Sequence, residues 1–252
     1  MSEPINPELG QVIDAGGILT NCLIAGQGTP VMLIHGSGPG VTGWANWRLL
    51  IPELSPDYRV IAPDMVGFGY TARPDDFDYS LQGWTAHLCA LMDALELPSA
   101  HFIGNSFGGA LALAMAARYP ERVRKLVLMG AAGIEFELTP GLDAVWGYQP
   151  SLAAMRDLMS LFAFDPSLVS EQIVSSRYEA SIRPGYQESY SRLFPAPRQR
   201  HLARLATPES ALRALPHRTL LVHGREDRIV PLASSLRMHA LIPKADLHVF
   251  GE

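Results

Sequence analysis

Gly104-Asn105-Ser106-Phe107-Gly108, followed by Gly109, forms a G-x-S-x-G pattern around a serine. A serine hydroxyl is a poor nucleophile until the backbone exposes it, a base takes its proton and donors stabilise the resulting charge. An apolar run at 101–103 precedes the motif, and an Ala/Leu-rich stretch at 107–118 follows it and stops before Pro120. This context predicts a sharp strand-to-helix turn with Ser106 at its apex, as a candidate nucleophile. Glycines two residues to either side remove the Cβ atoms that would collide in such a turn. The N-terminus of the following helix aims backbone N–H groups at developing negative charge.

Two further segments could complete that chemistry. His35-Gly36-Ser37-Gly38-Pro39-Gly40 follows the apolar run 31–34, where a glycine-rich loop can present the Ser37 N–H beside the Phe107 N–H as an oxyanion hole. The loop has no lysine, which argues against phosphate binding. His35 precedes the nucleophile in the chain and reads as a brace for the loop. His223-Gly224-Arg225-Glu226-Asp227 follows the apolar run 219–222, and Asp227 is the candidate acid that would orient an imidazole. Glu226 and the flanking arginines read as solvated loop charges, and Asp64 as the anchor of a turn.

The elements that must position these residues follow from the apolar pattern. Segments 11–14 and 19–24 alternate around Ala15-Gly16-Gly17 and predict a hairpin. Short apolar runs at 31–34, 60–62, 101–103, 123–129, 219–222 and 247–250 fit strands covered on both faces. Helical segments at 44–54, 80–95, 107–118 and 232–241 alternate with them. The alternation predicts a doubly wound, mostly parallel α/β sheet with helices on both faces. Residues 1–133 and 216–252 form this core. Residues 134–215 contain no clear strand and are expected to form a helical lid over the carboxyl ends of the strands.

Composition narrows the function classes. The chain has 252 residues, 48% hydrophobic and 18% charged, which supports a large buried core. Lys+Arg 20 against Asp+Glu 25 gives a net charge of −5 and argues against a nucleic-acid partner. Two cysteines, Cys22 and Cys89, make neither a disulfide framework nor a metal site. No apolar run reaches the ~20 residues of a membrane span, and no signal peptide is visible, so a cytoplasmic protein is expected. Neither metal nor organic cofactor is expected, and assembly with further copies is left open.

The chain resembles the α/β-hydrolase superfamily over its whole length. Within it, the chain is similar to the meta-cleavage product hydrolases, which cleave a carbon–carbon bond in ring-fission products of catechols. The resemblance is carried by residues 35–39 and 44–48, by 62–69, by the Ser106 motif, and by 141–148, 181–185 and 194–200. It implies an α/β-hydrolase fold, Ser106 as nucleophile, Asp227 as triad acid and an oxyanion hole at Ser37 and Phe107. It also implies that Asn46, Asn105 and Arg183 hold the carboxylate and 2-oxo end of a small acidic dienoate. Charge agrees with an anionic substrate: residues 177–204 hold six arginines (177, 183, 192, 198, 200, 204) against Glu179 and Glu188, or +4. Most of the six read as an ordinary solvated face, and Arg183, beside Pro184-Gly185, is the one singled out.

In this fold the histidine follows the last strand, and the chain ends at Glu252 immediately after it. The expectation is a fragment lacking roughly thirty residues, a loop and one closing helix of ordinary length. The competing reading is a short chain in which Ser106 lacks its base. Two other functions stand beside the C–C hydrolase: a carboxylesterase using the same triad, and a non-catalytic ligand-binding hydrolase fold.

Overall fold

The computed structural model describes residues 6–251. Eight strands, β1 (Gln11–Asp14), β2 (Leu19–Ala25), β3 (Thr29–Ile34), β4 (Tyr58–Pro63), β5 (Ala100–Asn105), β6 (Val123–Met129), β7 (Thr219–Gly224) and β8 (Ala245–Phe250), form one sheet. Their order is β1-β2-β4-β3-β5-β6-β7-β8. The expected hairpin is present: β1 and β2 pair antiparallel, with Gly16 and Gly17 at φ 66° and 90° in the turn. β2 also pairs antiparallel with β4, and every pairing from β4 to β8 is parallel. The α/β-hydrolase topology expected from the sequence is therefore the one observed.

Eleven helices are described: α1 (Gly43–Trp47), α2 (Ile51–Leu54), α3 (Leu81–Ala94), α4 (Phe107–Arg118), α5 (Pro140–Trp146), α6 (Leu152–Phe162), α7 (Glu171–Ser181), α8 (Tyr186–Leu193), α9 (Gln199–Leu205), α10 (Glu209–Arg213) and α11 (Leu232–Leu241). The middle of the sheet is covered on both faces, and β3 shows why its sequence is continuously apolar. Met32 and Ile34 point into the large core with Leu88, Leu91 and Leu111, whereas Val31 and Leu33 pack on the other face with Trp47 and Ile51. The edge strand β8 departs from the covered strand expected at 247–250, with Val249 43% and Phe250 61% exposed. The helix expected over 44–54 is two helices. Pro52 has no N–H to continue the first ladder, so it sits in the opening turn of α2, where none is needed. Between β6 and β7 the described chain runs through α5 to α10. Among the described residues no helix is long and apolar enough to cross a membrane.

A buried carboxylate ties the antiparallel edge to the sheet's carboxyl ends. Asp64, next to β4, accepts hydrogen bonds from Gly43 N (2.6 Å), Tyr70 N (2.8 Å) and Asn21 Nδ2 (2.8 Å). Burial pushes its carboxyl up to about 6, while these three donors pull the other way. At neutral pH the group is ionised and every partner is an N–H. Asp64→Asn puts an NH2 against one of those donors. The expected loss is about 2–3 kcal/mol, a fall in Tm of about 5–10 °C in a melting experiment, and an unchanged Tm would refute this reading.

Candidate active site

Ser106 lies between the end of β5 and the start of α4 with φ 51° and ψ −113°. Glu96 is the only other non-glycine residue with positive φ among the described residues. This conformation costs on the order of 1–3 kcal/mol and persists only where the surroundings over-determine it. They do so through the backbone: Ser106 N–H donates to Met129 O (2.9 Å), and Ser106 O accepts from Gly109 N and Ala132 N (both 3.0 Å). The glycines are required by contact. A Cβ on Gly104 would lie 2.4 Å from Gly108 O, on Gly108 2.1 Å from Ile34 O, and on Gly109 2.4 Å from the Ala131 Cβ. The Phe107 ring is buried against Trp84 (centroids 4.8 Å) and Phe68 (5.6 Å), which pins the first turn of α4.

The 36–40 loop faces Ser106 closely. A Cβ on Gly36 would lie 2.9 Å from Asn105 Oδ1 and 3.6 Å from Ser106 Cβ. Ser37 is held by two side chains from the segment between β6 and β7. Trp146 Nε1 donates to Ser37 Oγ (2.9 Å), and the Tyr190 hydroxyl, shared with Val145 O, donates to Ser37 O (3.0 Å). Trp146 in turn stacks on Phe194 with centroids 4.2 Å apart. Among the described residues neither Ser37 N–H nor Phe107 N–H has a hydrogen-bond acceptor. Asn46, on α1, accepts from Gly36 N through Oδ1 (3.0 Å), so its NH2 is the group left for another partner. Asn105 Nδ2 donates to Met129 O at 3.3 Å.

Asp227 hangs from the turn after β7. Its Oδ1 accepts from Ile229 N (2.8 Å) and Val230 N (3.0 Å), and its Oδ2 is turned toward Gly130, at the end of β6. The nearby histidines have other hydrogen-bond partners, although His223 Nε2 also stands 3.5 Å from Asp227 Oδ2. His223 is buried, with Nδ1 on Ser235 Oγ (2.6 Å) and Nε2 on Val230 O (2.9 Å). His35 holds Gly36 O with Nδ1 (2.7 Å) and accepts from Met65 N with Nε2 (2.9 Å). Burial pushes the His35 imidazole down to about 4, so it stays a neutral brace. His239 is an exposed residue on α11, and His248 is an exposed residue on β8.

Ser37, Asn46, Asn105, Ser106 and Asp227 all line a single cleft of about 1050 Å³. Its far wall is apolar, with Leu142, Val145, Met159, Phe162 and Ile229, and none of its described lining residues is a histidine. Among the described residues no three His, Cys, Asp or Glu side chains gather as a metal site.

Arg183 does not join this cleft. Its guanidinium pairs with the Glu8 carboxylate and lies over the rings of Tyr70 (5.2 Å) and Tyr186 (5.7 Å). A carboxylate 175 residues away competes for the cation, and sequence spacing does not reveal it. Arg177 and Arg48 line the cleft instead. Arg177 projects from α7, with Nη2 on Pro39 O at 3.3 Å, and among the described residues no carboxylate pairs with it. Burial pushes its guanidinium down to about 10, opposed by Glu8 and aided by Arg48 and Arg183, so at neutral pH it remains a poorly hydrated cation. Helical spacing carried a signal for it: Val174, Arg177 and Ala180 stand three apart, and both neighbours are buried.

Comparisons with known proteins give the family. A sequence profile for the alpha/beta hydrolase fold matches residues 29–252. A 2-hydroxymuconate semialdehyde hydrolase from a Pseudomonas species is 58% identical over 100% of this chain and 89% of its own length. A 2-hydroxy-6-oxo-2,4-heptadienoate hydrolase from Pseudomonas putida is 57% identical over 98% of this chain and 90% of its own. A solved meta-cleavage product hydrolase from Pseudomonas fluorescens IP01, a serine-to-alanine mutant complexed with acetates, is 58% identical. It superimposes with a TM-score of 0.97 over 98% of this chain and 90% of its own. This chain belongs to the meta-cleavage product hydrolases of the α/β-hydrolase fold. As a member of that family it is a hydrolase acting on a small molecule.

In this member Ser37 is held in place by Tyr190 and Trp146. Tyr190→Phe removes the donor to Ser37 O and Val145 O. The expected result is a fall in kcat for p-nitrophenyl acetate of about tenfold with KM within about twofold, the pattern of a contact made mainly in the transition state. Unchanged kcat would show that the loop keeps its place without the hydroxyl.

Proposed function

We propose that the enzyme hydrolyses a carbon–carbon bond in 2-hydroxy-6-oxo-hexa-2,4-dienoate-type ring-fission products, 2-hydroxymuconate semialdehyde among them. The products are 2-hydroxypenta-2,4-dienoate and a carboxylic acid. The observation that carries this reading is Arg177, a half-buried guanidinium with no carboxylate partner among the described residues, in the same cleft as the strained Ser106 and the Ser37 loop. A guanidinium there recognises a carboxylate, which a simple ester lacks. The names of relatives 52–58% identical support the substrate class.

In the proposed mechanism Arg177 and Arg48 hold the substrate carboxylate, and the Asn46 and Asn105 amides lie beside the 2-oxo end. The dienol ketonises by moving its hydroxyl proton to C5, which prepares that carbon to leave. Ser106 Oγ, or a water beside it, attacks the C6 carbonyl. The Ser37 and Phe107 N–H groups stabilise the oxyanion, and Asp227 serves as the acid that orients the general base. Collapse breaks the C5–C6 bond and returns its electron pair to the dienolate. One water is consumed overall. Among the described residues no histidine lines the cleft with Ser106.

Loss of dienolate absorbance reports turnover directly. With the natural gene product, the semialdehyde should be consumed, and Ser106→Ala should lower kcat by at least about 10⁴-fold. Turnover of nitrophenyl esters with none on any ring-fission product would overturn the reading in favour of an esterase. Arg177→Ala should raise KM for the dienoate by about tenfold or more while leaving nitrophenyl acetate hydrolysis within about twofold, because only the acid uses the guanidinium.

A further inference from the structure

Glu8 lies outside the cleft, yet its carboxylate touches both elements that carry cleft residues. Its side chain is 13% exposed, and Arg183's is 31% exposed. Oε2 accepts from Arg183 Nη1 and from the Tyr70 hydroxyl (3.1 Å), and Oε1 accepts from Thr42 Oγ1 (3.4 Å). Thr42 is the N-cap of α1, where its Oγ1 accepts from Ala45 N (3.0 Å), and α1 carries Asn46. Arg183 stands two residues beyond α7, the helix that carries Arg177.

The surroundings make this a strut. Residues 6–10 are stitched to the core: Asn6 Nδ2 donates to the Tyr70 hydroxyl (2.9 Å), Gly10 N donates to Asn21 Oδ1 (2.8 Å), and Asn21 Nδ2 donates to Glu8 O (2.9 Å). Arg183 and Arg73 lie over the Tyr186 ring at 5.7 and 4.6 Å, so the start of α8 is clamped from two sides. The end of α7 also meets the oxyanion loop backbone to backbone. A Cβ on Gly40, at φ 64°, would lie 2.7 Å from Ser181 N. Any drift of α7 therefore moves Arg177 relative to the Ser37 loop. Ion pairs this sheltered from water are worth more than exposed ones, because less of the attraction is screened.

We propose that Glu8 is a positioning residue, and that its pairing with Arg183 and Thr42 sets the spacing between the Arg177 helix and the Asn46 helix. This rests on the proposed carboxylate-holding role of Arg177. Neither Glu8 nor Arg183 touches substrate in this scheme. The strut acts on how well the acid end is held, and so on KM for an acidic dienoate.

Two readouts test it, on the natural gene product with 2-hydroxymuconate semialdehyde and p-nitrophenyl acetate as probes. Glu8→Gln keeps the shape and Arg183→Met removes the charge. Each should raise KM for the dienoate by about tenfold with kcat within about twofold, and leave both constants for the neutral ester unchanged. The double variant should be no worse than either single one, and Arg183→Lys should restore most of the loss. Hydrogen exchange at 177–183 should quicken in Glu8→Gln and Arg183→Met and not in Arg183→Lys. Equal losses on ester and dienoate, or unchanged KM and exchange, would overturn the proposal. Wild-type protein that never consumes the dienoate would defeat the proposed function instead. The exchange arm then still decides the strut: unchanged exchange overturns it, and quickened exchange shows a strut serving another substrate.

Discussion

The left-handed backbone at Ser106 organises much of this molecule. A serine at φ 51° cannot hold itself there, and its neighbours must approach closer than side chains allow. Gly104, Gly108 and Gly109 permit that approach from β3, β5 and the segment after β6. Met129 and Ala132 then take up the serine's own N–H and carbonyl. The turn is thus a joint between three neighbouring strands rather than a local kink. The strain is of order 1–3 kcal/mol, small beside the packing that Phe107 makes with Trp84 and Phe68. The same joint that exposes the hydroxyl also points the start of α4 at the cleft.

Electrostatics add a second layer. The chain as a whole is acidic, yet its cleft is lined by Arg48, Arg177 and Arg228 against Glu226 and Asp227. Burying a guanidinium without a carboxylate is costly, and the cost is recovered when an anion arrives. Arg183 is the contrasting case: the same residue type, six positions along, has its partner in Glu8 and has no need of a ligand. Two arginines of one basic segment therefore differ in surroundings, one lining the cleft and the other paired with Glu8. The presence of an internal carboxylate decides which is which.

Much of the site was legible in the chain. The period-2 hairpin, the two-sided apolar strands and a serine between glycines are local patterns, which is why the sequence locates β1–β8 and the Ser106 turn even though contacts from β3 and the end of β6 hold that turn. Asp227 and Ser37 follow strands, Asn105 ends one and Asn46 lies on the short helix after β3, so the topology delivers them to one end of the sheet. The helix expected over 44–54 shows the limit of periodicity, because the apolar pattern continues through Pro52 while the hydrogen-bond ladder does not.

Charge partnership was not legible. The amino-acid order marked the alternation of strands and helices, the serine between glycines and the loops around it, since each of these patterns is set by residues a few positions apart. Tertiary structure alone decided that Arg177 faces the cleft, that Arg183 turns to Glu8, and that Trp146 and Tyr190 hold Ser37. An ion pair or a hydrogen bond depends on distance in space, and residues 8 and 183 become neighbours only after the sheet and its covering helices have closed around them.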